Sequence, residues 1–362
     1  MPMRTSDLDT PCLLINPDVL ERNIERMANI ARSSALALRP HIKTHKTAEI
    51  TRMQLAAGAR GITVATVSEA EAMAAAGASD ILIGNQVIGA NPVQRVVDLA
   101  RKVSLAVVVD SSAIARPLAE AAAAAKISLP VLLEVDTGCH RCGVPPEQAL
   151  ALARQIAALN GLSLVGLFDY PGHARHAGSP AAAAEAACQE ATQLKALAEL
   201  IAPVAPVMGW LSGGSTLTAP GYEPGCGLTE IRPGTYVYND IRMMDLGCAR
   251  IEDCAQTVLA SVISARGEHV VVNAGSKCLT TDAPYSTAGL GLIKGIAGAG
   301  VEKLYEEHGC LRVPAAAAGE LVVGDRVEII PSHACVVSNL FGEAIVVRRG
   351  VVEDRWRILA RR

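Results

Sequence analysis

Between roughly residues 20 and 245, apolar residues gather in short uninterrupted runs, and the segments between the runs carry helical periodicity instead. The runs fall at 38–43, 62–66, 81–85, 105–110, 131–136, 164–170, 207–211 and 230–236. A strand that is apolar at every position is buried on both faces, as in a parallel sheet covered by helices. Eight such runs alternating with helices predict a (β/α)8 barrel, with an open doubly wound sheet as the rival. Among the intervening segments, VSEAEAMAAAG (67–77) reads as a helix with a capping box of Ser68 and Glu71 and a stop at Gly77.

After residue 245 the pattern changes. Strand-like runs at 256–264, 270–274, 326–330, 343–348 and 356–359 lie among turn signals such as ARGEH and VVGD, without helical segments between them. They predict a small antiparallel domain, and the run at 11–15 is placed to pair with it. The expected division is a barrel over residues 18–245 and a β domain built from 1–17 and 246–362.

Composition narrows the function. The chain has 362 residues, half of them hydrophobic, which is ample for a large core and for roughly two domains. Net charge is 33 − 36 = −3 and no basic block occurs, so nothing is available to neutralise a nucleic-acid backbone. Two Trp and two Phe give no stacking platform for single strands either. The start, MPMRTSDLDTPCLLINP, lacks the apolar core of a signal peptide, and no run reaches the roughly 18 apolar residues of a membrane span. Ten cysteines in a long chain with no export signal point to reduced thiols, and hence to a cytoplasmic protein.

Three segments carry candidate chemistry. Arg39, His41, Lys43, His45 and Lys46 crowd the end of the first candidate barrel strand, where barrel enzymes place catalytic groups. Strand alternation would put Arg39, His41 and Lys43 on one face. A lysine desolvated among other cations has a lowered pKa and can form a Schiff base; the plainer alternative is a solvated basic loop. Ser212-Gly213-Gly214-Ser215-Thr216 follows the seventh strand, where barrels bind phosphate on glycine backbone and hydroxyl donors. His333 and Cys335, if extended, project to one side as a metal clamp that favours zinc over magnesium, against the alternative of a buried strand. Two protein ligands leave coordination positions open, which suits a catalytic metal. Cys139 and Cys142 have C-x-x-C spacing but no second pair, and Gly289 and Gly291 lack the βαβ unit of a dinucleotide loop, so both are set aside.

The segments LDTPCLLI, RPHIKTHK, VDTGCHRCGV, SGGSTLT, EIRPGTYVYND and PSHAC occur in an order that resembles the fold-type III, pyridoxal-phosphate-dependent enzymes of the D-threonine aldolase and D-serine dehydratase group. The resemblance spans essentially the whole chain. It implies an α/β fold, a PLP-binding (β/α)8 TIM barrel of the alanine racemase type plus a C-terminal antiparallel β domain that carries the metal pair. On it, Lys43 is the lysine that holds pyridoxal 5′-phosphate, with His41 and Arg39 shaping its surroundings. Arg141 lies near the cofactor ring, where it would keep the pyridine nitrogen unprotonated, and Tyr170 contacts the ring. Gly213, Gly214, Ser215 and Thr216 hold the phosphate with help from Tyr236. His333 and Cys335 hold a divalent metal, zinc in the first instance, with manganese or magnesium as alternatives.

His173 and His176 both stand where the family's histidine base is expected, and spacing does not choose between them. The implied activity is a lyase acting on D-configured β-hydroxy-α-amino acids. The His-x-Cys pair favours β-elimination to a keto acid and ammonia, whereas the histidines favour retro-aldol cleavage to glycine and an aldehyde. Retro-aldol cleavage is the preferred reading, with elimination and then amino-acid racemisation as alternatives. A homodimer is expected, with the small domain of one subunit capping the barrel of the other.

Overall fold

The computed structural model describes residues 2–286 and 289–361. The chain divides into two compact units. One comprises Met1–Glu25, Thr44–Glu49 and Thr235–Arg362, and the other Arg26–Lys43 and Ile50–Gly234.

The first strand, β1 (Cys12–Ile15), belongs to the former unit. The next eight belong to the latter: β2 (Ala37–Leu38), β3 (Ile62–Val64), β4 (Asp80–Ile83), β5 (Ser104–Val109), β6 (Leu129–Glu134), β7 (Leu162–Phe168), β8 (Trp210–Gly213) and β9 (Glu230–Ile231). They form a parallel sheet in the order β2-β9-β8-β7-β6-β5-β4-β3. Its ends meet through Arg60 N–H to the Leu38 carbonyl (2.8 Å), Thr63 N–H to the Pro40 carbonyl (2.8 Å) and a bridge between His41 and Thr63. The sheet is therefore a barrel, as the apolar runs predict. Leu82, Ala106, Val108, Leu132 and Phe168 make one apolar cluster with Val165 and Trp210 against it, because alternate positions of neighbouring strands face the same way.

The barrel's seam is ionic. Arg39 follows β2 and is 1% exposed; its Nε donates to Glu230 at 2.8 Å, and its two Nη groups to Asp80 at 2.7 and 3.2 Å. Its guanidinium also stacks 4.6 Å from the centre of the Trp210 ring. The sequence assigned Arg39 to the surroundings of Lys43, but its charge is committed to these two acids. Arg39→Leu should cost about 3–5 kcal/mol, since it leaves buried Glu230 without its cation. Urea unfolding of the variant against wild type checks this.

Where strands approach the candidate site they are shorter than the apolar runs. β2 stops at Leu38 because Pro40 has no N–H for the ladder, and Ile42–Thr44 turns as a 3-10 segment. Alternation along an extended strand therefore does not place Arg39, His41 and Lys43. β8 starts at Trp210, three residues after the exposed Val207, and β9 ends two residues before Pro233. The helix Val67–Ala75 is capped two residues earlier than the sequence indicated, at Thr66 and not at Ser68. Thr66 accepts from Glu69 N–H (3.1 Å) and the Glu69 carboxylate accepts from Ala65 N–H (2.7 Å), while Glu71 pairs with Arg95 (2.9 Å). Gly77 ends that turn at φ +103°, a conformation that glycine takes without strain.

The other unit carries β10 (Gln256–Arg266), β11 (His269–Val272), β12 (Gly291–Ile293), β13 (Gly300–Leu304), β14 (Gly309–Arg312), β15 (Arg326–Pro331), β16 (Glu343–Arg348) and β17 (Val351–Arg357). With β1 they make a nine-stranded sheet in the order β11-β14-β13-β12-β15-β10-β1-β16-β17. β1 runs antiparallel to β10 and parallel to β16, and Leu14 packs with Leu8, Leu259 and Ile345. Among the described residues no helix is long and apolar enough to cross a membrane.

Candidate active site

In the barrel unit, the 3-10 turn Ile42–Thr44 ends the segment after β2 and presents Lys43, which is half-buried. The Lys43 N–H donates to His41 Nδ1 (3.4 Å), so the histidine stabilises the turn. Lys43 Nζ lies 5.9 Å from the centre of the Tyr170 ring, and the Arg141 guanidinium 4.6 Å from the same ring. Two cations thus share one aromatic ring, at distances where its quadrupole attracts both. The fold brings together Lys43, His41, Arg141 and Tyr170 from segments up to about 130 residues apart.

The two candidate histidines separate clearly. Both lie in the 3-10 turn Gly172–His176, which follows Tyr170. His176 is exposed and its Nε2 accepts from Arg175 Nε (3.1 Å). His173 is half-buried and packs on the backbone of Gly138, where an added Cβ would stand 3.4 Å from its Nδ1. That Nδ1 is buried and has no hydrogen-bond partner among the described residues.

An acid missed by sequence reasoning ends β6. Gln86 donates both to Glu134 and to Asp110 (3.0 Å). Burial pushes the Glu134 carboxyl up to about 7, against the opposing pull of the Gln86 hydrogen bond and the Arg141 charge. An acid whose folded pKa is raised binds a proton on folding, so its contribution is most favourable below its ordinary value of 4.5 and is lost as pH rises to about 7. Glu134→Gln keeps the acceptor for Gln86 and removes the titration. From roughly pH 5 to pH 8 the wild type should lose up to about 3 kcal/mol more stability than the variant, read by urea unfolding at both ends.

The glycine loop turns out of β8. Gly214 sits at φ +77°, where a side chain is strained, and a Cβ on Gly213 would run into the Glu190 carboxyl. The Gly214 N–H donates to Glu190 (2.9 Å) and the Ser215 N–H to Thr218 Oγ1 (2.9 Å). Ser215 Oγ accepts from the Thr218 N–H (3.2 Å), so the loop is held rigidly from within.

In the other unit, β15 ends at Pro331 and His333 is the N-cap of the helix Ala334–Leu340. The expected extended clamp is therefore a strand-to-helix turn, set up by buried Asp240, whose carboxylate accepts from the Ala334 N–H (2.9 Å). The two side chains nevertheless meet: His333 and Cys335 are hydrogen-bonded to each other. His333 Nδ1 is 2.7 Å from Asp282 and 3.1 Å from an Arg242 Nη. Burial disfavours the imidazolium, but Cys335 and Asp282 outweigh it and raise His333 to about 9. Cys335 Sγ is 3.2 Å from Thr44 Oγ1 and 3.7 Å from Thr235 Oγ1. Tyr236 is buried in the turn Thr235–Val237 of this unit, not in the unit of Lys43 and the glycine loop.

The residues present fit both expected groups. Lys43, Arg141 and Tyr170 offer an amine, a cation and an aromatic face for an aldehyde-bearing heterocycle, and the glycine loop after β8 carries the hydroxyls of Ser215 and Thr216. Among the described residues no cluster of three or more His, Cys, Asp or Glu is arranged for a metal. His333 and Cys335 are thus a two-donor set, the histidine braced by the carboxylate of Asp282 as metal-binding histidines commonly are.

A closed parallel barrel carrying a lysine among aromatic and cationic groups, linked in one chain to a β unit with an imidazole–thiol pair, defines an alanine racemase-like enzyme. The profile of the alanine racemase N-terminal domain matches residues 15–241, and the family described as "Putative serine dehydratase domain" matches residues 255–347. D-threonine aldolase of Arthrobacter sp is 35% identical over 98% of this chain and 93% of its own length. D-threo-3-hydroxyaspartate dehydratase of Delftia sp. is 32% identical over 92% and 93%. The crystal structure of D-threonine aldolase from Filomicrobium marinum superposes with a TM-score of 0.86 at 31% identity, covering 100% and 98% of the two chains. Solved forms of D-threo-3-hydroxyaspartate dehydratase include a metal-free one with a cysteine changed to alanine, and one with a histidine two positions earlier changed to alanine. This chain belongs to the fold-type III, pyridoxal-phosphate-dependent family of D-threonine aldolases and D-serine dehydratases, and is a lyase of that family.

Proposed function

We propose that the protein cleaves D-configured β-hydroxy-α-amino acids by a retro-aldol reaction, giving glycine and an aldehyde. Pyridoxal 5′-phosphate supplies an electron sink for the bond broken at the substrate's α-carbon, and a divalent metal supplies a Lewis acid for the β-hydroxyl. Lys43 would hold the cofactor, Arg141 and Tyr170 orient its ring, and Gly213, Gly214, Ser215 and Thr216 receive its phosphate. His333 and Cys335 would hold the metal, zinc by the softness of the thiolate. The histidine–cysteine spacing equals that of the two positions changed in the dehydratase forms described above. A homodimer is part of the proposal, to be read from sedimentation of the active enzyme.

The observation that carries the retro-aldol reading is His173. Breaking the Cα–Cβ bond requires a base for the β-hydroxyl proton. His173 offers a half-buried imidazole with an unpartnered Nδ1 in the turn after Tyr170, whereas His176 is exposed and engaged by Arg175. His173→Gln should lower aldolase turnover by about 10²–10⁴-fold, the usual worth of a positioned base, and His176→Gln should change it little. The experiment is product analysis with D-threonine: glycine and acetaldehyde support the reading. The cysteine ligand favours elimination as a second reading, for which keto acid and ammonia would be the products.

A further inference from the structure

Behind the glycine loop lies a buried pair of acids that this chemistry does not use. Glu190 sits on the helix Pro180–Ile201, in the buried stripe that includes Ala183, Ala187, Leu194 and Ile201, and is 1% exposed. One of its oxygens accepts from the Gly214 N–H at 2.9 Å, and the other from the Tyr222 hydroxyl. Its carboxyl is also hydrogen-bonded to that of Asp169, which is equally buried and immediately precedes Tyr170. Asp169 in turn accepts from the Thr137 N–H (3.2 Å) and hydroxyl (2.9 Å).

Ionised carboxylates only accept hydrogen bonds, so two carboxyls in contact must keep a proton between them. Burial and the neighbouring Asp169 charge raise Glu190 well above the carboxylate range. Glu190 also accounts for glycine at 213, since a Cβ there would collide with its Oε1. The Tyr222 hydroxyl lies 3.2 Å from Thr218 Oγ1, the atom that accepts from the Ser215 N–H, so a second line of contacts leads from Glu190 to the same loop.

We propose that Glu190 is a positioning residue for the cofactor phosphate. Through the Gly214 amide and the Tyr222–Thr218 contact it fixes the path on which Ser215 and Thr216 are presented. The inference rests on the reading that residues 213–216 receive the phosphate, and the experiment separates the two.

The full-length wild type, Glu190→Ala, Glu190→Gln and Tyr222→Phe are equilibrated with pyridoxal 5′-phosphate and, separately, with pyridoxal. The absorbance of the lysine-linked cofactor gives each affinity. Glu190→Ala should bind pyridoxal 5′-phosphate more weakly by on the order of 10–100-fold while its affinity for pyridoxal is unchanged, the loss expected for a buried hydrogen-bonded acid. Glu190→Gln should keep the wild-type preference, because its amide donates to Asp169 and its oxygen still accepts from Gly214. Tyr222→Phe should show a smaller loss in the same direction, which carries the test if Glu190→Ala does not fold. Equal losses for both ligands, or unchanged preference in Glu190→Ala and Tyr222→Phe, would overturn the inference. A wild type that binds both ligands equally would overturn the assignment of the loop itself, and the inference with it.

Discussion

Lys43→Ala should yield a folded protein without covalently held cofactor, and with lyase turnover reduced by at least about 10²–10⁴-fold, the range attached to a lost proton-transfer group alone. The wild type should show the visible absorbance of a lysine-linked pyridoxal group, and borohydride should fix the label on the peptide containing Lys43. The argument rests on surroundings. Lys43 is half-buried and its Nζ lies 5.9 Å from the centre of the Tyr170 ring, against which the Arg141 guanidinium also packs, so its amine is presented beside an aromatic face able to stack on a heterocycle. The competing lysines are placed differently. Lys46 donates to Asn339 Oδ1 (2.8 Å), and Lys277 is exposed and paired with Glu306 (3.0 Å) and Glu307 (2.8 Å), which raise its pKa and hold its charge. Label on either of them would show the assignment to be wrong.

The barrel was legible because its strands are apolar on both faces. The runs at 105–110 and 131–136 meet β5 and β6 to within two residues at each end. Legibility fails where a strand hands over to the site, since there the chain is shaped by groups distant in sequence. The turn at His333 is set by Asp240, 94 residues away, and no local pattern announces it. Arg39 resembled its cationic neighbours on paper, but Glu230 and Asp80 arrive from strands far along the chain and take its charge. β12, β13 and β14 were missed because they are three to five residues long and start in glycine, short of any readable alternation. Glu190 had a signal that went unread. Its helix is Ala-rich, and a glutamate on the same stripe as Ala183, Ala187 and Leu194 is on the buried face by the helical period. A charged residue at such a position needs a partner, and that expectation alone marks it for a role.

Cys335→Ala should separate the metal's work from the cofactor's. Two protein donors braced by Asp282 leave coordination positions for substrate, so the ion is expected to serve the reaction rather than to support the fold. The variant should therefore keep the lysine-linked absorbance and most of its thermal stability. Cys335 is only partly buried, and the His333 imidazole that loses it keeps Asp282 at 2.7 Å, so removing the thiol leaves that group with a partner. Turnover should fall by on the order of 10²–10⁴-fold, equivalent to several kcal/mol of Lewis-acid stabilisation at the β-oxygen. Chelation of the wild type should reproduce the loss, and an added divalent ion should reverse it in the wild type but not in the variant. Metal analysis of both proteins before assay ties the loss to the ion. Undiminished turnover in a thoroughly chelated, metal-free wild type would remove the metal from the reaction and bring forward racemisation, which needs a second acid or base across the ring and no Lewis acid.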